Sequence, residues 1–247
     1  MIRTALVLAA FLVFTPWYAA LIIGASLLGV PYREGSVLAW GPRAWSRKIC
    51  WAAGVRVETH GNFGLITSPA PRVIVANHVS WFDVFALASV LPRFAFVAKA
   101  ELRKIPLFGP SAEASGQVFI ERANRKAAFA EYEKAAERIG EGTTVVIFPE
   151  GTRGSDYPLR RFKKGPFVLA ISAQAPVVPV LVHGSIEVLK KGDYRVRAGV
   201  IHIHVLDPIP TTGMTYDERD KLARLTYAAM ARAQEELYGI RSPEFGS

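Results

Sequence analysis

The chain of 247 residues has one cysteine, Cys50. A single thiol excludes an internal disulfide framework and any metal site built from several cysteines. It fits a reducing compartment, and as a small apolar side chain Cys50 needs no further role. Internal repeats and low-complexity linkers are missing. No zinc spacing, helix-turn-helix pattern or RNP-like aromatic strand occurs, so no nucleic-acid partner is expected. The G-x-S-x-G elbow of serine hydrolases is also missing. Acidic residues are outnumbered: 21 Asp and Glu face 30 Lys and Arg, a net charge of +9. Such a balance favours an anionic partner. With 51% hydrophobic residues, including five Trp and fourteen Phe, a lipid surface fits best.

Residues 4–30 carry no charged side chain, with Arg3 before and Arg33 after. About 20 apolar residues suffice to cross a bilayer. A signal peptide is disfavoured, because the run is long and no small-x-small cleavage site closes it. The segment either spans the membrane or enters one leaflet and turns back, and the monotopic form is preferred. Pro16 and Gly24 are expected to bend it. Residues 35–53 then mix Trp40, Trp45 and Trp51 with Arg43, Arg47 and Lys48. Aromatic and basic side chains together suit the headgroup layer, so 1–53 reads as a two-helix membrane anchor.

From residue 55 short apolar runs alternate with helical stretches. Strands are expected at 55–60, 72–77, 94–99, 118–122, 144–149, 177–182 and 194–206. Helices are expected at 82–89, 124–139, 165–172 and 216–238. In 124–139, Phe129, Tyr132, Ala136 and Ile139 recur at helical spacing. The alternation predicts an α/β fold, with a mixed sheet of about seven strands flanked by helices. One domain, 54–243, follows the anchor. The closing EFGS, 244–247, resembles a cloning scar and is set aside.

Four stretches carry chemistry. The first is Asn77-His78-Val79-Ser80-Trp81-Phe82-Asp83, after the apolar run 73–76. On one helix His78 and Asp83 would lie about 140° apart. If His78 ends a strand and Asp83 opens the next helix, the carboxylate can hold the imidazole Nδ1 and support proton uptake at Nε2. That is a triad without its nucleophile. Ser80 lies too near His78 to supply one, so the substrate must bring its own hydroxyl. The second is Phe148-Pro149-Glu150-Gly151-Thr152-Arg153, where glycine admits close backbone approach and arginine can grip a phosphate. Arg160, Arg161, Lys163 and Lys164 follow as a basic run that suits a solvated face. The third is Gly116 to Arg122 and the fourth Val178-Pro179-Val180, which taken alone reads as a sheet edge. His202 and His204 alternate on one strand and read as a solvated face rather than metal ligands.

In this order the four stretches match N-H-x4-D, G-x-x-F-I-x-R, F-P-E-G-T-R and V-P-V. The chain thereby resembles the glycerolipid acyltransferase family over about residues 55–210, most closely the bacterial lysophosphatidic acid acyltransferases. The resemblance implies acyl transfer from acyl-CoA or acyl carrier protein to lysophosphatidic acid, without cofactor or metal. It also implies the family fold and an inner-membrane, cytoplasm-facing location. It casts His78 as general base and Asp83 as its orienter. Glu150, Gly151 and Thr152 fall to the acceptor site, and Arg153, Arg122 and Lys99 to its phosphate. An amide near Val79 or Gly151 would stabilise the oxyanion. Glycerol-3-phosphate and lyso-ornithine lipid acylation remain alternatives, as does a non-catalytic lipid-binding protein.

Overall fold

A computed structural model of the chain describes residues 1–121 and 125–246. Arg122, one of the expected phosphate ligands, lies outside the described residues. Among the described residues, seven strands form one sheet: β1 (Val55–Gly61), β2 (Val73–Ala76), β3 (Phe94–Lys99), β4 (Val118–Ile120), β5 (Thr144–Ile147), β6 (Val177–His183) and β7 (Gly199–Val205). The helices are α1 (Ile2–Leu27), α2 (Val37–Ala53), α3 (Gly64–Thr67), α4 (Trp81–Val90), α5 (Phe108–Ala114), α6 (Arg125–Gly140), α7 (Gly165–Ser172), α8 (Ser185–Val188) and α9 (Arg219–Tyr238).

The strand order is β1-β7-β6-β2-β5-β3-β4. All neighbours are parallel except β6 and β7, so the sheet is mixed as expected. Alternation divides the core: Ile74 and Ala76 of β2 face a layer with Ile49 of α2 and Phe82 and Ala86 of α4. Val73 and Val75 face the opposite layer, with Phe167 of α7 and Leu222 and Met230 of α9. The chain leaves β2 towards β3 and leaves β5 in the other direction, towards β6. Ligands of open α/β sheets gather where the strand order switches, at the carboxyl ends of the strands. Here that crevice opens between β2 and β5.

The edge reading of Val178-Pro179-Val180 is overturned, because β6 lies inside the sheet. Pro179 pairs with Val75 of β2, and its carbonyl accepts from Leu206 N–H at 3.0 Å, on the β7 side. The N–H that proline lacks would point the same way. The paired span with β7 begins at Val180, so the one bond that proline cannot return to Leu206 falls at the end of the ladder. The long strand expected over 194–206 is shorter, starting at Gly199. Residue 216 opens a 3-10 turn, and the helix proper starts at Arg219. Phe245, in the stretch set aside, meets the Tyr227 ring at 5.4 Å.

α1 is continuous from Ile2 to Leu27 with Pro16 inside it, and it is long and apolar enough to cross a membrane. Val7, Ala10, Ala19 and Ile22 are buried, whereas Leu8, Leu12, Trp17 and Leu27 are exposed. The three tryptophans of 35–53 separate. Trp51 is 71% exposed and Trp40 is partly so. Trp45 turns inward, edge-on to Phe11 and Phe85, with its indole N–H donating to Thr15 Oγ1 at 3.1 Å. Its ring packs on α4 through Phe85 and lines a cavity, so it is directed into the protein.

Candidate active site

Asn77 extends β2 past its last ladder bond. Its side chain accepts from Val182 N–H at 2.7 Å and donates to Val182 O at 2.9 Å, copying a strand neighbour. This leaves His78 at the strand's end. Ser80 caps α4: its Oγ accepts from Phe82 N–H at 3.2 Å, and Asp83 closes the capping box by accepting from Ser80 N–H at 2.8 Å. The same Asp83 Oδ2 accepts from Val79 N–H at 2.7 Å and from His78 Nδ1 at 2.9 Å. The five-residue offset is therefore a strand end facing a helix start. Asp83 is fully buried and His78 nearly so, its side chain 12% exposed. With Nδ1–H committed to a carboxylate, Nε2 is the nitrogen left to accept a proton. Ser80 Oγ donates to Leu189 O at 2.7 Å and is fully buried, which disposes of it as a nucleophile.

The loop after β5 fixes His78 from three sides. Phe148 stacks on its imidazole with ring centres 4.0 Å apart, and Phe96 stacks behind Phe148 at 5.9 Å. His78 N–H donates to Glu150 Oε1 at 2.9 Å, and His78 O accepts from Gly154 N–H at 2.8 Å. Glu150 Oε2 takes Arg160 Nε–H at 2.7 Å, and Arg160 also donates to Thr152 O. The Glu150 carboxyl is raised above the usual carboxylate range, first by burial; the His78 N–H and Arg160 oppose the shift. Gly151 stands at φ 76°, a left-handed conformation that favours glycine.

A cavity of about 480 Å³ adjoins His78. Its lining is mainly apolar: Phe85 from α4, Phe94, Phe96 and Phe148 from the sheet side, with Ala19, Ile22 and Trp45 from α1 and α2. Among the expected site residues, Lys99, Gly151, Thr152 and Arg153 line the same cavity. Glu150 does not; its side chain is 1% exposed and faces the His78 backbone. The Arg153 guanidinium lies 4.6 Å from the centre of the Trp81 ring, and its partial burial lowers its pKa from the ordinary value. Both amides considered for the oxyanion are engaged inside the protein, Val79 N–H with Asp83 and Gly151 N–H with Phe148 O at 3.1 Å.

Sequence reasoning missed Trp81 and the cavity wall supplied by α1 and α2. It also read Arg160 as solvated. Arg160 follows the glycine-containing loop by a spacing that carries no period, so nothing in the sequence pairs it with Glu150.

The acyltransferase family profile matches residues 56–183. The putative 1-acyl-sn-glycerol-3-phosphate acyltransferase acl-2 of Caenorhabditis elegans is 34% identical over 191 residues, 76% of this chain and 67% of that protein. The lyso-ornithine lipid O-acyltransferase of Pseudomonas aeruginosa is 31% identical over 217 residues, 81% and 80%. The chain spans only about three fifths of the length of several further curated relatives. The crystal structure of the 1-acyl-sn-glycerophosphate (LPA) acyltransferase PlsC from Thermotoga maritima matches with a TM-score of 0.79 and 25% identity, covering 98% of this chain and 97% of that one.

Proposed function

The chain belongs to the acyltransferase family, and we propose that it moves a fatty acyl group from a thioester to the sn-2 hydroxyl of lysophosphatidic acid, giving phosphatidic acid. The observation that carries this reading is the buried His78–Asp83 pair beside an apolar cavity that also holds two cations. In the proposed step Nε2 of His78 takes the acceptor hydroxyl proton as the oxygen attacks the thioester carbonyl carbon. Asp83 steadies the imidazolium. The tetrahedral intermediate collapses, the C–S bond breaks, and the departing sulfur receives the proton from His78. The nucleophile arrives with the acceptor, so the transfer requires no cofactor beyond the acyl thioester, supplied by acyl-CoA or acyl carrier protein.

Arg153 and Lys99 would hold the acceptor's phosphate, with Gly151 and Thr152 shaping its approach. Arg122 would join them on the strength of its motif. Glu150 would act through His78, by fixing the backbone that carries it. The cavity would take the acyl chain; its volume lies in the range of about 300–1,000 Å³ usual for small-molecule sites. The exposed apolar side of α1, with Trp40 and Trp51 and the basic residues of α2, supports a monotopic two-helix anchor on the cytoplasmic face of the inner membrane. Domain limits of 1–53 and 54–243 follow from that reading.

The test is an assay of the full chain with each donor and with lysophosphatidic acid, glycerol-3-phosphate and lyso-ornithine lipid. Acylation of lysophosphatidic acid that disappears in His78→Ala, with folding and vesicle binding retained, is expected. Substantial turnover in that variant would remove His78 as base. The relative of Pseudomonas aeruginosa, whose length this chain largely spans, supports a second reading as a lyso-ornithine lipid acyltransferase. Preference for that acceptor in the same assay would select it.

A further inference from the structure

The chain has five histidines. His78 is in the site above; the other four collect elsewhere, where β1, β7 and β6 meet. In the parallel register of β1 and β7, Glu58 stands opposite His202 and His60 opposite His204. His183 of β6 is the partner of His202. β6 lies between the members on β1 and β7 and the His78 site after β2.

Three side chains converge. His60 Nε2 and His202 Nδ1 are 3.0 Å apart, and Glu58 Oε2 is 3.5 Å from His202 Nδ1. One ligand atom from each lies within 4.8 Å of the others, and all three residues are half-buried. A tetrahedral zinc ion with bonds of about 2.0–2.1 Å separates its ligands by about 3.4 Å. The observed separations bracket that value, so small side-chain adjustments would form the site. Two imidazoles facing each other through nitrogen can share only one proton, and moving it to the outer nitrogen of one ring leaves both inner lone pairs for a cation.

Neighbouring groups touch these ligands from outside. Arg56 Nε donates to Glu58 Oε1 at 2.8 Å, which leaves Oε2 toward His202. His60 stacks on His204 with centres 4.6 Å apart, and His204 Nε2 meets the Tyr238 hydroxyl at 2.6 Å. A hydrogen bond to the ligating carboxylate, such as that from Arg56, is the kind of outer contact that metal sites use.

We propose that Glu58, His60 and His202 bind one transition-metal ion of the zinc class, with a fourth position open to water. Two imidazoles and a carboxylate favour such an ion over magnesium or calcium. The ion would tie the edge strand β1 to β7.

The full chain, titrated with Co²⁺ at neutral pH, is expected to take up a single equivalent with the visible bands of a four-coordinate ion. Zn²⁺ should displace it and raise Tm. The double variant His60→Ala/His202→Ala should lose both effects, and His78→Ala should keep both. Glu58 is partly exposed, so Glu58→Gln should fold and bind at least about tenfold more weakly. Absence of the bands in the wild type, their survival in Glu58→Gln at unchanged affinity, or their loss in His78→Ala would overturn the site.

Discussion

At the scale of residues, Asp83 is asked to hold three donors with one oxygen: the His78 imidazole and the amides of Val79 and Ser80. Its place in the helix cap and its hold on the His78 ring, which the proposed mechanism uses to orient the base, therefore cannot be separated by mutation. Asp83→Asn keeps the shape but weakens the grip on Nδ1–H. Turnover is expected to fall at least about 100-fold with the acceptor KM little changed, and Tm should drop as the capping box loses its charged acceptor. Steady-state kinetics and a melting curve check both halves. Arg153 makes a different forecast, because its guanidinium is stacked on Trp81. Arg153→Lys keeps the charge but loses the planar face, so acceptor KM should rise; an unchanged KM with lowered kcat would speak against a binding role. For Glu150 the pH sign is fixed by burial. Its carboxyl titrates above the usual range in the fold, so the folded state binds more protons than the unfolded one between the two values. Its stabilising contribution is full below the ordinary carboxylate pKa and is lost as pH rises through the raised one. Relative to Glu150→Gln, the wild type should lose Tm across that window.

At the scale of elements, the strands were the most legible part, since most interior strands are short apolar runs between breakers; β7, with His202 and His204 in it, was the one read too long. β2, for instance, is four buried residues, Val73–Ala76. The His78–Asp83 pair was legible too, because both partners lie within one turn region where chain geometry limits the choices. What the sequence hid is long-range pairing. Nothing local says that Trp45 points inward while Trp51 points outward, because both follow the same aromatic and basic composition. Only the packing of α2 on α4 separates them. Pro179 misled for a related reason: a missing N–H suggests an edge, but here it falls at the end of the β6–β7 ladder, which starts at Val180. The inward turn of α1 makes a forecast for these helices. Ala19 is buried and lines the cavity. Ala19→Phe should shorten the acyl chains accepted, read as a shift in donor preference with kcat for short donors retained. Equal loss for all chain lengths would mean general disruption.

At the scale of the whole molecule, 1–53 cannot be a detachable tether. Residues of α1 and α2 form one wall of the cavity, and the Val196 N–H donates to Thr4 Oγ1 at 3.1 Å from far along the chain. Deleting 1–53 should therefore end acyl transfer as well as vesicle binding. Recovery of full turnover by the truncated protein on dispersed substrates would show that the wall is dispensable. Vesicle binding by the full chain should weaken with salt but persist, since the net charge of +9 is screened and the apolar face of α1 is not.

The wall also sets a schedule. A ribosome releases α1 and α2 long before Phe94, Phe96 and Phe108, which face them across the cavity, have been made. During that interval the inward side of the leading helix has no protein to rest on, and its outward side is apolar as well. A nascent chain that meets a bilayer early is sheltered on both sides until the sheet arrives; one that meets it late must hide a bare greasy rod. Under the proposed anchor, delivery to the lipid and completion of the chamber would be steps of one assembly, ordered by the direction of synthesis.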